Sequence, residues 1–308
     1  MKRILLIFAV FFVTVAGIYY WRQTHLQTTS DSISTPRVTT PSATKPEPTE
    51  PPLLPSNLES ITTNNVTVPL DVVPGSYTAL VSRDYLLPST YVPKDLVEIS
   101  VRFSSNSHDD KRKMRRVASK ALSKMFRAAE KKGIILYGVS GYRSYERQKS
   151  IYSRNVALHG KKATDSLSAK PGSSEHQTGL TIDVSASSVG CLLTERFGST
   201  KEGRWLAKNA HKYGYIIRYP KGKTKLTGYS YEPWHIRYVG KPHAAIIYND
   251  RLTLEKYIDS FETGEWYSAD GYLISRQTVG ESVTMPKAFG SAVVSPDNTG
   301  CYMITVKQ

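Results

Sequence analysis

The chain opens on an almost unbroken apolar run, Ile4 to Trp21, behind Lys2 and Arg3. About 20 apolar residues span the hydrocarbon of a bilayer. Tyr19, Tyr20 and Trp21 stand where an interfacial aromatic belt lies. The pattern predicts a single-pass membrane anchor over residues 1–22, with the basic start inside and the rest of the chain exported. A cleaved signal peptide is the alternative, but no small-residue cleavage pattern follows the run, which favours an uncleaved anchor. Residues 23–66 lose all periodicity. Their Thr, Ser and Pro content cannot bury apolar surface and blocks regular structure, so an extended stalk is expected there.

From residue 67 the pattern is that of a folded domain, expected over 67–260. Met114, Val117, Ala121, Leu122, Met125 and Ala128 recur at helical spacing. They predict a helix over Lys111–Lys132, with Asp109 or Asp110 as its cap and Gly133 as its stop. Tyr145–His159, Glu202–Lys212 and Pro242–Ile258, broken near Asn249, read as further helices. Ile134–Val139, Leu180–Val184, Tyr215–Arg218 and Trp234–Val239 read as strands. Helices and strands mix without a regular βαβ repeat, which points to the α+β class. Beyond Phe261 the texture changes to short strands around a Pro-Asp-Asn-Thr-Gly hairpin turn. Residues 261–308 are therefore expected to be a small β appendage, either packed on the domain or standing as a module of its own.

Composition narrows the functional classes. At 308 residues and 40% hydrophobic content the chain can build a sizeable core, and a mean hydropathy of −0.35 excludes a polytopic membrane protein. The net charge is +15, yet only five of the 41 Lys and Arg and four of the 26 Asp and Glu lie in the first 60 residues. The excess therefore sits on the folded part. For an exported domain it suits anionic cell-wall polymers rather than nucleic acid, and a monomer is expected. Two cysteines are too few for a disulfide scaffold or a structural zinc ribbon. Cys191 and Cys301 could pair outside the cell or remain separate thiols; the sequence leaves both readings open.

Three segments carry the candidate chemistry: Ser140–Gln148, Ser173–Asp183 and Glu232–Tyr238. His176, Asp183 and His235 supply two imidazoles and a carboxylate, a usual ligand set for catalytic zinc with a fourth position open. Gly179 lets the chain turn between His176 and Asp183 and enter a strand, and His235 stands in a second strand that could lie beside the first. Glu232, three residues before His235 across Pro233, is placed to take a proton from water as a general base and return it to a leaving amine. Arg143 offers a planar donor fork suited to a carboxylate or an oxyanion, with Gln148 five residues on. A lone histidine or a strand-start aspartate is ordinarily structural; the argument rests on the set. His25, His108, His159, His211 and His243 have no matching acid and read as structural or surface residues.

The set closely resembles the pattern of the VanY-type D-alanyl-D-alanine carboxypeptidases. These are LAS-type zinc peptidases, a group that also holds lysostaphin-like peptidases and the Hedgehog signalling domain. The matching positions are Gly141-Tyr142-Arg143-Ser144 with Gln148, then Ser174, His176, Gly179 and Asp183, then Glu232, Trp234 and His235. The resemblance covers roughly residues 70–260. It implies a small antiparallel sheet with helices packed on one side, zinc on His176, Asp183 and His235, and Glu232 as catalytic base. It also implies that Arg143 stabilises the reacting carbonyl or holds the substrate carboxylate, and that Arg143, Gln148 and Ser174 contact the peptide end. The implied substrate is the peptidoglycan stem peptide, cut at the wall face of the membrane to release a terminal D-alanine (a D,D-carboxypeptidase). L,D-carboxypeptidase action on tetrapeptide stems and a metal-binding wall-recognition module without catalysis are the alternatives.

Overall fold

The computed structural model describes residues 54–69, 77–106, 109–288 and 290–308. The predicted anchor and the stalk up to residue 53 lie outside the described residues. Among the described residues no helix is long and apolar enough to cross a membrane.

Strands β1 (Glu59–Ile61), β2 (Asn65–Pro69), β3 (Leu96–Glu98) and β4 (Lys113–Arg115) precede a central sheet of β5 (Tyr137–Ser140), β6 (Thr181–Ser185), β7 (Tyr215–Tyr219) and β8 (Glu232–Tyr238). The central order is β5-β6-β8-β7, antiparallel throughout. Alternation divides its two faces. Ile182, Val184 and Ile236 enter an apolar core with helix α1 (Arg116–Glu130), which contributes Ala118, Leu122, Met125, Phe126 and Ala129. Asp183, His235 and Arg237, the intervening residues, serve the opposite face.

The predicted first helix starts five residues late. Residues 110–112 form a short 3-10 turn and 113–115 pair with β3, so neither Asp109 nor Asp110 caps α1. Met114 is fully buried in either register, because one buried residue between two basic ones satisfies strand alternation as well as helical spacing. Tertiary bonds decide for the extended form. The Gly141 amide donates to the Lys111 carbonyl at 2.6 Å, Tyr142 to Lys113 at 2.8 Å, and Arg115 donates to Gly179 at 2.8 Å. This strap braces both loops that carry the candidate chemistry.

The other expected helices form near their expected bounds, and two short ones that the sequence reading did not contain, Lys161–Leu167 and Thr224–Thr227, add to them. Helix α2 (Tyr145–His159) is capped by the Ser144 side chain, which accepts from the Arg147 amide. Helix α3 is Lys161–Leu167, and α4 (Lys201–Asn209) is capped by Thr200. A short α5 (Thr224–Thr227) precedes β8. The last predicted helix is broken where expected, into α6 (His243–Asn249) and α7 (Leu254–Asp259).

The C-terminal strands are β9 (Trp266–Ala269), β10 (Tyr272–Thr278), β11 (Ser282–Pro286), β12 (Ala292–Pro296) and β13 (Cys301–Lys307). They form a five-stranded sheet in the order β1-β9-β10-β13-β12, beside a β2–β11 ribbon. One expectation changes here. Residues 54–66, assigned to the end of the stalk, join the fold: Leu58 is buried, β1 pairs with β9, and β2 pairs with β11. Of the two arrangements left open for residues 261–308, the structure has the packed one. Tyr267, Ile274 and Met303 share one apolar core with Ile246, Ile258 and Phe261. Cys191 and Cys301 are free thiols.

Candidate active site

His176 rides on a 3-10 turn, Glu175–Thr178, that ends at Gly179 with φ of 67°. The left-handed conformation favours glycine, and a Cβ there would also press on the Leu96 side chain at 2.9 Å. The turn delivers the chain into β6, where Asp183 is the direct cross-strand partner of His235 on β8. On its other side Asp183 faces Ser140 of β5. Two strands and one turn thus aim two imidazoles and a carboxylate at one point.

The three side chains converge as candidate metal ligands, each imidazole facing a different oxygen of the Asp183 carboxylate. Nitrogen and oxygen ligands at 2.0–2.1 Å from a tetrahedral ion stand about 3.3 Å apart. His176 Nε2 lies 3.4 Å from Asp183 Oδ2, and His235 Nδ1 lies 3.2 Å from Asp183 Oδ1. The three ligand atoms lie within 4.8 Å of one another, and all three residues are buried. Asp183 Oδ1 is buried without a hydrogen-bond partner, as a ligand atom would be. His176 Nδ1 donates to the Gly141 carbonyl at 2.7 Å, which leaves the lone pair on Nε2, facing the site.

Glu232 Oε2 lies 3.6 Å from His235 Nδ1, at the edge of this cluster. Burial raises its carboxyl above the ordinary range against the pull of His235 and Arg143. Burial likewise opposes ionisation of Asp183, but His176 and His235 outweigh it and hold that carboxyl well below the ordinary range. The two carboxyls, one strand pair apart, are therefore pushed in opposite directions: Asp183 is held ionised, as a metal ligand would be, while Glu232 is pushed toward its neutral form, as a proton carrier would be.

Arg143 follows β5. Its backbone amide donates to the His176 carbonyl at 3.2 Å, and its Nη1 donates to Gln148 Oε1 at 3.0 Å. Gln148 in turn donates to the Ala169 carbonyl at 2.6 Å. One fork position is thus locked by a buried amide. Arg143, Gln148, Ser174, His176, Asp183, Glu232 and His235 all line one cleft of about 270 Å³, with Trp234, Tyr219 and Tyr229 among its walls. Every site residue expected from the sequence is in it.

The sequence reading missed a buried ionic layer behind the metal ligands. Glu175 is 1% exposed; its Oε1 accepts from Arg218 Nε and from Arg237 Nη1, each at 2.8 Å. Burial opposes its ionisation, but the two guanidinium groups outweigh that and hold the carboxyl well below its usual range. Its Oε2 faces His235 Nε2 at 3.6 Å, a charge contact beyond hydrogen-bond reach that orients the imidazole. Arg218 also makes two bonds to Glu255. Arg237 Nη2 donates to the carbonyls of Tyr77 and Ala79. One signal was available: Arg237 stands two residues after His235 and so shares its face of the strand.

Comparison with known proteins agrees with this construction. The VanY family model, D-alanyl-D-alanine carboxypeptidase, matches residues 111–241. The carboxypeptidase YodJ of Bacillus subtilis is 51% identical over 186 residues, covering 60% of this chain and 68% of that protein. The chain belongs to the VanY family. Like its relatives it is an enzyme of carboxypeptidase type. A D-alanyl-D-alanine carboxypeptidase of Enterococcus faecium is 37% identical over 54% of this chain and 53% of its own length, so the chain spans about half of that relative. Among solved structures, the LdcB LD-carboxypeptidase is 50% identical and covers 61% of this chain and 88% of its own, with a TM-score of 0.60. This VanY-family chain is thus similar both to a D,D- and to an L,D-carboxypeptidase.

Proposed function

We propose that the protein is a zinc-dependent D,D-carboxypeptidase that removes the terminal D-alanine from peptidoglycan stem peptides, held at the cell membrane by residues 1–22 with its catalytic domain facing the wall. The observation that carries the reading is the pairing of a complete three-ligand cluster with a separate carboxylate, Glu232, at its edge. A recognition module needs no base there; hydrolysis does.

His176, Asp183 and His235 would hold the zinc, which when bound polarises a scissile carbonyl and makes water a better nucleophile. Glu232 accepts the proton that the attacking water loses as its oxygen bonds to the carbonyl carbon. The same carboxyl then delivers the proton to the nitrogen as the C–N bond breaks, so that D-alanine leaves as an amine. Its raised proton affinity suits both halves of that cycle. Arg143 has one fork position committed to Gln148 and the other directed at Ser140 Oγ at 3.5 Å, a weak contact that a substrate carboxylate or oxyanion can displace. Ser174 lines the same wall and offers a hydroxyl to the peptide end.

A second reading, L,D-cleavage of tetrapeptide stems, is favoured by the 50% identity to the LdcB LD-carboxypeptidase. One experiment separates the readings. Synthetic penta- and tetrapeptide stems are incubated with the zinc-loaded protein and with Glu232→Gln, and products are identified by mass. The D,D reading expects D-alanine from the pentapeptide. The variant is expected to keep its zinc while release falls by about two to four orders of magnitude. Near-normal release by Glu232→Gln would sink the mechanism; cleavage confined to the tetrapeptide would transfer the assignment to L,D chemistry.

A further inference from the structure

Away from the cleft, where the C-terminal sheet meets the central domain, lies a groove of about 720 Å³. Five lysines border it: Lys120 and Lys124 from α1, Lys212, Lys241 after β8, and Lys307 at the end of β13. All five are exposed. No aspartate, glutamate or arginine is among its lining residues. None of the five lysines has an ion-pair partner among the described residues, although the chain carries 26 acidic side chains. The lining also holds four half-buried tyrosines, Tyr77, Tyr213, Tyr238 and Tyr272, together with several valines.

This chemistry has a direction. Uncompensated like charges around one concavity raise the local potential and draw in a counter-charge. Lysines are compact point charges that neutralise phosphate oxygens by charge alone, without needing one fixed planar geometry. The charges come from four separate segments of the chain, which suits several charges on a polymer better than a single ion. Tyrosine rings in the lining give apolar walls for the carbon skeleton that joins the charges. The position also fits: Tyr238 stands three residues beyond His235 on the same strand, about 10 Å along it, so a polymer in the groove leaves the cleft free.

We propose that this groove binds a phosphodiester-linked polyol polymer, and that it serves as an exosite that retains the enzyme on such a polymer while the cleft works on peptides. The site needs both parts of the fold, since Lys307 and Tyr272 come from the C-terminal sheet and the other charges from the domain. The proposal is independent of which peptide the cleft takes.

The test titrates the full chain with a defined poly(glycerol phosphate) oligomer by calorimetry at two salt concentrations, with poly(glutamate) of equal charge as the carboxylate control. Two four-fold variants with the same net charge are compared. One replaces Lys120, Lys124, Lys241 and Lys307 by Gln; the other replaces Lys131, Lys132, Lys201 and Lys225, exposed lysines outside the groove. The groove variant is expected to lose at least about tenfold in affinity and to show a weaker salt dependence, while the control variant stays within about twofold. If the groove variant loses its thermal transition, the double variant Lys120→Gln/Lys307→Gln is read instead, with at least about a threefold loss expected. Equal losses in both variants would show diffuse attraction only and overturn the proposal. So would absence of binding by the unaltered chain, or equally tight binding of poly(glutamate).

Discussion

The two faces of the central sheet are equally dry and oppositely built. On one, Ile182, Val184 and Ile236 pack against Leu122 and Met125 of α1, all with no exposure. On the other, His235 and Arg237 meet Glu175 and Arg218, of which none exceeds 5% exposure. The apolar face gains stability by removing hydrocarbon from water and tolerates any set of side chains that fills the same volume. The charged face gains little net stability, because desolvation of ions offsets their attraction. It obtains a fixed arrangement instead. Glu175 satisfies two guanidinium groups with one oxygen and leaves the other oxygen to orient a metal ligand. The apolar side holds the sheet together, while the charged side sets where a histidine ring points.

That contrast can be broken most severely at its centre. Glu175→Ala is expected to cost about 3–5 kcal/mol, because the buried Arg237 loses the carboxylate it pairs with and Arg218 keeps Glu255 alone. Its zinc affinity should fall as well, read by metal-buffered titration alongside urea denaturation. Leu122→Ala opens a cavity on the apolar face and is expected to cost about 3 kcal/mol in the same denaturation experiment. The zinc affinity of the variant should be unchanged, and equal effects on metal binding from both variants would erase the distinction between the faces.

A smaller effect tests the second apolar core. His243, read from the sequence as bland, is buried; Tyr257 and Thr305 bond its two ring nitrogens at 2.6 and 2.9 Å. Burial pushes its pKa down from 6.5 to about 4. The unfolded chain therefore binds more protons than the folded one between those values, and stability falls as pH drops through that window. At pH 5.5 the loss should be roughly 1 kcal/mol, and His243→Gln should flatten the stability curve between pH 4 and 6.5. Smallest of all, Arg102→Ala removes an ion pair with Glu130 whose side chains are 50% and 58% exposed, and should change stability by less than about 0.5 kcal/mol.

What could be read from the sequence divides along similar lines. His176, Asp183, Glu232 and His235 were visible because ligands and a base must be particular residue types at spacings that a turn and two strands allow. Helix α1 was visible from its apolar stripe, although its first turn was not. Lys111–Arg115 satisfies both periods, and only bonds to Gly141, Tyr142 and Gly179, each far off in sequence, select the extended form. Glu175 looked like any acid beside a histidine, since nothing local says that two arginines from β7 and β8 will converge on it. The docking of the C-terminal sheet was equally hidden. Its inner residues, Tyr267, Ile274 and Met303, alternate as in any half-buried strand, and the pattern does not name the surface they cover.

The entry of the chain into the fold has a mechanical consequence. Ser56 donates to Asp250, Leu58 enters the core shared by α6, α7 and the C-terminal sheet, and β1 pairs with β9 at the edge of that sheet. Tension applied to the preceding residues is therefore borne first by these contacts, far along the sequence from His176, Asp183 and His235.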